Sequence, residues 1–320
     1  MESVRKRHDA QKAARDNDTN SEDRGRFLQS WLDESTVDAW RHDRMLSMMD
    51  PLWEAYPGAT WLTIGDGRFA YETRYILRHD PGADVMTTDI SEPIMRQAQE
   101  RGLIQKYSTE NCESLSFSDH KFDFVLCKES YHHFPRPYMA LYEMLRVAKL
   151  AVVLLEPSDV VLSAKHLREY EEIKDGHILM KDIVRALLRR MGVIPLLRRL
   201  RGFAPDDSKP DVACNFEESG NFVYTISERE LEKVALGIGM PVVAFKVFSD
   251  YYEEGVEFEK AVPGSVLFQK TQDKIAEAEC NGANGMLSTI LFHLEPGNLR
   301  SGLVEHGYRI VDIPQNPYMS

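Results

Sequence analysis

Trp61-Leu62-Thr63-Ile64-Gly65-Asp66-Gly67 is a short apolar run that breaks into a Gly-x-Gly turn. Glycines let the backbone turn sharply there and bring amide N–H groups close to a ligand. The segment Ala70–His79 that follows has helical patterning, and a helix N-terminus attracts anions. The next apolar run closes on Asp89, 22 residues after Gly67. A carboxylate at that offset, at the end of the neighbouring strand, can accept hydrogen bonds from both hydroxyls of a ribose. The stretch therefore predicts a strand, a glycine turn and a helix that together hold a nucleoside cofactor. Gly65-Asp66-Gly67-Arg68-Phe69-Ala70 also satisfies the loose dinucleotide pattern G-x-G-x-x-A, so NAD stays open at this point.

Working outward, strand-like runs fall at Thr60–Ile64, Asp84–Thr88, Phe122–Cys127 and Ala151–Leu155, with helical patterns at Ala70–His79, Pro93–Arg101 and Tyr138–Ala148 between them. Such alternation predicts an α/β fold, a doubly wound, Rossmann-like, mostly parallel sheet. The run Ala151-Val152-Val153-Leu154-Leu155 suits a central strand buried on both faces. Before the first strand, Leu28, Trp31, Leu32, Val37, Trp40, Met45, Leu46 and Met49 recur at helical spacing. After Pro157 the alternation stops. Residues 158–222 are expected to form an inserted helical cap over the substrate side, and residues 223–320 to complete the sheet and extend it. Ser227-x-x-Glu230 is a capping box for a helix at Glu228–Gly237, followed by a strand at Val242–Phe248. A mostly helical stretch is expected over Glu257–Cys280, then a core strand at Met286–Phe292, a helix at Gly297–His306 and a strand at Tyr308–Ile313. The organisation is thus a charged arm without fixed structure over 1–25, helices and cofactor-binding core over 26–157, the cap over 158–222, and the completion over 223–320.

The chain has 320 residues, is 43% hydrophobic and carries a net charge of −12. That composition buries a large core and argues against a general nucleic-acid surface, which needs clustered Lys and Arg. Cys112, Cys127, Cys214 and Cys280 lack C-x-x-C spacing, and no apolar run reaches the length of a membrane span. Neither a metal site nor a disulfide is expected. A charged N-terminus without an apolar core points to a cytoplasmic protein.

Five further stretches stand in a telling order: Glu110-Asn-Cys-Glu-Ser-Leu-Ser-Phe117, Lys121-Phe-Asp-Phe-Val-Leu-Cys-Lys-Glu129, Tyr131-His-His-Phe134, Tyr142-Glu-Met-Leu-Arg-Val-Ala-Lys149 and Leu154-Leu-Glu-Pro157. This succession resembles the class I S-adenosylmethionine-dependent methyltransferases over about residues 60 to 157, with weaker agreement through 226 to 294. The resemblance implies S-adenosylmethionine as cofactor. It places Gly65 and Gly67 under the cofactor's amino-acid end, Asp89 with Ile90 at the ribose, and Asn111, Cys112 and Glu113 by the adenine. Lys128 to Ser130 would pass near the sulfonium. Two positions depart from the pattern. Thr63 stands where the family often has an acid, and Phe69 replaces the third glycine; Asp66 is the residue that can supply a carboxylate to the methionine amine.

Methyl transfer to a hydroxyl needs a group to remove its proton. His132 and His133 follow the fourth strand and Glu156 ends the fifth, so a parallel sheet would bring them to one ligand-binding edge. An imidazole oriented by a carboxylate is a competent base near neutral pH. Glu129 and Tyr131 stand in reserve, His293 reads as structural, and His166 and His177 fall in the insertion. Lys181 to Arg201 carries seven basic residues against one acid, interleaved with apolar ones. That segment suits an anionic acceptor, peripheral contact with an anionic membrane, or a solvated helix face. The leading expectation is a methyltransferase acting on a small-molecule hydroxyl of a sugar, glycan or natural product. Two alternatives are an NAD-dependent oxidoreductase and a non-catalytic cofactor-binding subunit.

Overall fold

A computed structural model of the protein describes residues 22–159, 215–216 and 222–315, together with positions 6, 8, 9, 12, 13 and 317. Three helices precede the sheet: α1 (Glu22–Ser30), α2 (Val37–Leu46) and α3 (Asp50–Ala55). There follow β1 (Thr60–Ile64), α4 (Tyr71–His79), β2 (Asp84–Asp89), α5 (Glu92–Glu100), β3 (Tyr107–Thr109), β4 (Phe122–Lys128), α6 (Pro137–Val147) and β5 (Ala148–Pro157). The chain continues with α7 (Glu228–Ile238), β6 (Val242–Phe248), α8 (Val266–Cys280), β7 (Met286–Phe292), α9 (Leu299–Glu305) and β8 (Arg309–Asp312).

These eight strands form one sheet in the order β8-β6-β7-β5-β4-β1-β2-β3. Strands β3, β2, β1, β4 and β5 pair in parallel, whereas β7 enters antiparallel between β5 and β6, and β8 is antiparallel to β6. The sheet is doubly wound because successive side chains leave a strand on opposite faces. Trp61, Phe124, Val153 and Ile290 pack with Leu46, Leu52, Tyr75 and Leu303 on one face. Leu62, Val125, Val152 and Leu291 pack with Leu141, Leu145 and Leu231 on the other. The stretch Ala151–Leu155 is fully buried and lies mid-sheet, as its unbroken apolar run requires.

Several expectations need correction. The arm expected over 1–25 contains helical positions at 6, 8, 9, 12 and 13, and α1 begins at Glu22. The helix expected over Glu257–Cys280 starts only at Val266, where Ser265 Oγ accepts the Phe268 N–H. Before it, the chain turns at Gly255 and Gly264, both with positive φ, and Lys260 bridges to Thr36. Strand β3 was not foreseen, because three polar residues offer too little alternation to read. The chain's contacts divide it into a unit of residues 1–158 with 216–320 and a unit of residues 159–215. The cap expected over 158–222, with His166, His177 and the basic stretch Lys181–Arg201, lies outside the described residues save a few at its ends.

Candidate active site

The carboxyl ends of β1, β2, β4 and β5 build the site, and the glycine turn shows why its residues are what they are. Gly65 has a φ of +72°, and a Cβ there would stand 2.5 Å from Ser130 Cβ. Ser130 in turn donates to the Gly65 carbonyl at 3.1 Å. Gly67 serves another purpose. A Cβ on it would meet Asp89 Oδ2 at 2.8 Å, so the carboxylate lies directly over bare backbone. Asp89 Oδ1 accepts the Ser91 N–H at 2.7 Å, which fixes the carboxylate beside the turn, with Ile90 between them in sequence. A half-buried glycine backbone under an acid is the kind of cradle that a ribose and its attached chain require, so the residues fit a nucleoside cofactor.

Asp66 has a different task from the one expected of it. It is buried, its Oδ1 accepts from Glu72 N at 3.1 Å, and its Oδ2 accepts from Thr73 N at 2.9 Å and Thr73 Oγ1 at 2.8 Å. It therefore caps the first turn of α4, whose N-cap, Ala70, has no side chain to do so. The Thr73 hydroxyl spends its hydrogen on Asp66, so Thr63 and Thr87 must donate to it, at 3.0 and 2.8 Å. That network explains Thr63: a hydroxyl rather than an acid stands where the floor of the site is already anchored to a carboxylate. Phe69 and Ala70 are both left-handed, with φ of 52° and 57°, although neither is glycine. Phe69 is held there by burial with Leu28, Ile94 and Met95.

At the positions expected beside an adenine, Asn111 Oδ1 accepts the Glu113 N–H at 3.0 Å, and Glu113 accepts from the Arg136 backbone N (2.7 Å) and Nε (2.6 Å). His8 of the arm reaches both, with Nδ1 2.9 Å from Asn111 Nδ2 and Nε2 3.0 Å from Glu113 Oε2. Cys112 is buried, which pushes its thiol well above the ordinary range. Lys128 ends β4 with its side chain fully buried, contacting Glu129 Oε2 at 2.6 Å, Glu72 Oε1 at 3.7 Å and His42 Nδ1. His42 belongs to α2 and has no motif around it; nothing in local sequence links it to Lys128, 86 residues away. Burial, reinforced by the Lys128 charge, holds the His42 imidazole well below its ordinary value. Burial alone would raise Glu129, but Lys128, His42 and Arg68 override it and keep the carboxyl well below the usual range. Burial and then the neighbouring Asp66 raise Glu72 well above that range.

The predicted base and its orienter meet. His132 Nδ1 and Glu156 Oε2 lie 2.6 Å apart, both buried, while Glu156 Oε1 accepts the N–H groups of Ser130 (2.9 Å) and Tyr131 (3.0 Å). Ser130 thus links the dyad to the glycine turn, touching Glu156 with its amide and Gly65 with its hydroxyl. The His133 ring lies against His132, centroids 3.9 Å apart and planes tilted by 53°. His293 lies elsewhere, its Nε2 2.8 Å from the Leu145 carbonyl. Among the described residues no cluster of His, Cys, Asp or Glu could hold a metal ion, and no helix is long and apolar enough to cross a membrane.

The family described as "Methyltransferase domain" matches residues 62–155, the segment from β1 through β5 that carries the glycine turn, Asp89, Asn111, Glu113, Lys128, Ser130 and His132 but not His8, His42 or Glu156. Over residues 62–155 the chain carries a methyltransferase domain. The methyltransferase uses S-adenosylmethionine, and the NAD alternative is thereby set aside. No curated protein matches its sequence. Among solved structures it is similar to a SAM-dependent methyltransferase from Methanosarcina mazei, at 18% identity over 76% of this chain and 95% of that one, TM-score 0.42. It is also similar to the magnesium protoporphyrin IX methyltransferase of Synechocystis with bound SAH, at 13% identity over 79% and 84% of the two chains, TM-score 0.40. A SAM-dependent methyltransferase from Aquifex aeolicus aligns at 21% identity over 35% of this chain and 68% of that one, TM-score 0.29.

Proposed function

We propose that the enzyme methylates a hydroxyl of a small molecule, a sugar, a glycan or a natural product, with His132 as general base and Glu156 holding its ring. The observation that carries this reading is the 2.6 Å contact between His132 Nδ1 and Glu156 Oε2. A carboxylate that already accepts two backbone N–H groups accepts a third hydrogen from Nδ1, so Nε2 is the nitrogen left to take a proton. S-adenosylmethionine supplies an electrophilic methyl group on sulfur. Asp89 and the glycine turn hold the nucleoside, Ser130 ties that turn to the dyad, and His132 draws the proton from the attacking hydroxyl.

The test is a screen of sugars, glycans and phenolic or alcoholic natural products, with S-adenosylmethionine and the full chain, for products heavier by one CH2. A hit should be an O-methyl product, and His132→Ala should lower kcat on it by about 10²–10⁴-fold with little change in cofactor affinity. Glu156→Gln should lose less. Full activity in His132→Ala would remove the base from the mechanism, and methylation of amines alone would remove the hydroxyl.

A further inference from the structure

His132 and Glu156 come from two separate stretches of chain, and a third stretch ties those two together. We propose that the segment Tyr224–Ile226 is a strap for the dyad, and that Tyr224 is a positioning residue acting through its backbone N–H on the His132 carbonyl. This rests on the reading of His132 as the general base.

The main-chain hydrogen bonds show the arrangement. His132 lies in a short helical turn, Tyr131–His133, after β4, and Glu156 is the last residue but one of β5. Within the turn the Ser130 carbonyl accepts the His133 N–H at 3.0 Å and the Tyr131 carbonyl accepts the Phe134 N–H at 3.1 Å. The next carbonyl, that of His132, accepts from far away in sequence: the Tyr224 N–H, at 2.8 Å. Two residues further on, the Ile226 N–H reaches the carbonyl of Pro157, the neighbour of Glu156, at 2.9 Å. The chain is extended here, since Phe222–Val223 is a strand and Ile226 bridges in parallel to Ser158. Alternate N–H groups of an extended segment leave on the same side, so one segment grips the main chain at both members of the dyad.

The strap is itself fixed. Ile226 is buried and shares a core with Tyr131 of the turn and Leu154 of β5. Directly after it Ser227 caps α7, its Oγ accepting the Glu230 N–H at 3.3 Å, and Leu231 of that helix enters the same core. The end of β5 is held from another direction too, because Ser158 donates its N–H to the Gly285 carbonyl at 2.9 Å. The two anchors of the turn are complementary. Glu156 holds its first half through the Ser130 and Tyr131 amides, and Tyr224 holds its second half through the His132 carbonyl. Without the Tyr224 bond the His132 main chain is free to swing its ring away from Glu156, and a contact of 2.6 Å does not survive a shift of one ångström or so.

Nitrogen NMR on the full chain with isotope-labelled histidine tests this, the His132 ring signals being identified by their loss in His132→Gln. In wild type, with the ring neutral, the Nδ1–H tautomer should dominate, because Glu156 accepts that hydrogen. Two variants remove the Tyr224 N–H. One is Tyr224→Pro; the other replaces Tyr224 by its α-hydroxy acid, which turns the amide into an ester and keeps the side chain. Both should lower the ratio of the Nδ1–H to the Nε2–H form by about 3- to 10-fold, and lower kcat on a hydroxyl acceptor from the screen above by a similar factor, with S-adenosylhomocysteine affinity nearly unchanged. Tyr224→Ala keeps the N–H and should keep the tautomer ratio. An ester variant with the wild-type ratio would overturn the strap, and so would a ratio in Tyr224→Ala as low as in Tyr224→Pro. If Tyr224→Pro does not fold, the ester variant decides alone. A lowered ratio with undiminished kcat would instead remove His132 as the base and leave the strap standing.

Discussion

His42 has a cation close to each ring nitrogen, the Lys128 ammonium at Nδ1 and the Arg68 guanidinium at 3.3 Å from Nε2, with Asp38, Arg41 and Glu129 around them. A second proton on that ring, which would make it a cation, is disfavoured by burial and by these charges, and the sign of the consequence follows. Below its ordinary value of 6.5 the unfolded chain protonates this histidine while the folded chain does not. Folding is therefore progressively disfavoured as pH falls below 6.5. Glu72 acts oppositely: its raised folded value makes the fold lose stability as pH rises above 4.5. A difference between wild type and His42→Gln isolates the histidine. In urea titrations, the stability advantage of wild type should shrink by up to about 1.4 kcal/mol per pH unit on going below the imidazole range, and stay level above it. A difference that does not vary with pH would mean that His42 binds its proton equally well in the folded and unfolded chain.

At the scale of single elements, α4 depends on a residue four positions before its own N-cap. Asp66→Ala should cost about 1–2 kcal/mol in thermal or chemical unfolding, because the Glu72 and Thr73 amides and the Thr73 hydroxyl lose their acceptor together. Unchanged stability would mean that Asp66 is not a cap. This residue also shows what local sequence can tell. The boundaries of β1, β6 and β7 follow from apolar runs ended by glycine, proline or charge, and Ser227 caps α7 through the Glu230 amide as its spacing indicates. The dyad was legible as well, since parallel strands necessarily deliver the residues after β4 and at the end of β5 to one edge. Asp66 was legible as a carboxylate at the turn, but not as a cap, because the helix it serves starts after two left-handed residues that sequence patterns do not reveal. His42 and Glu72 escaped for a different reason: their chemistry comes from tertiary proximity to Lys128 and Asp66, and neither lies in a spacing that a motif could record.

At the scale of the molecule, the last strands of the sheet are tied to the helices that precede the first. Tyr308 is the joint. It is buried at the start of the last strand, and its hydroxyl lies 2.6 Å from Ser288 Oγ on β7 and 3.0 Å from the Met48 carbonyl in the turn between α2 and α3. Only the tyrosine can donate to a carbonyl, so its hydrogen goes to Met48 and Ser288 donates to its oxygen. The relay spans about 260 residues of chain and is reinforced by Leu299 and Leu303 of α9, which share a core with Leu52 of α3. Tyr308→Phe keeps the ring's packing but strands two buried groups, the Met48 carbonyl and the Ser288 hydroxyl. The expected loss is about 1–3 kcal/mol, seen as a lower urea midpoint with an unchanged slope. Affinity for S-adenosylhomocysteine should stay the same below the transition, because the relay's partners, Ser288 and Met48, lie outside the glycine turn, Asp89 and the β4 end. A variant as stable as wild type would show that the two ends of the chain are held by apolar packing alone, and a loss of cofactor affinity without loss of stability would place the tyrosine in the site's own network.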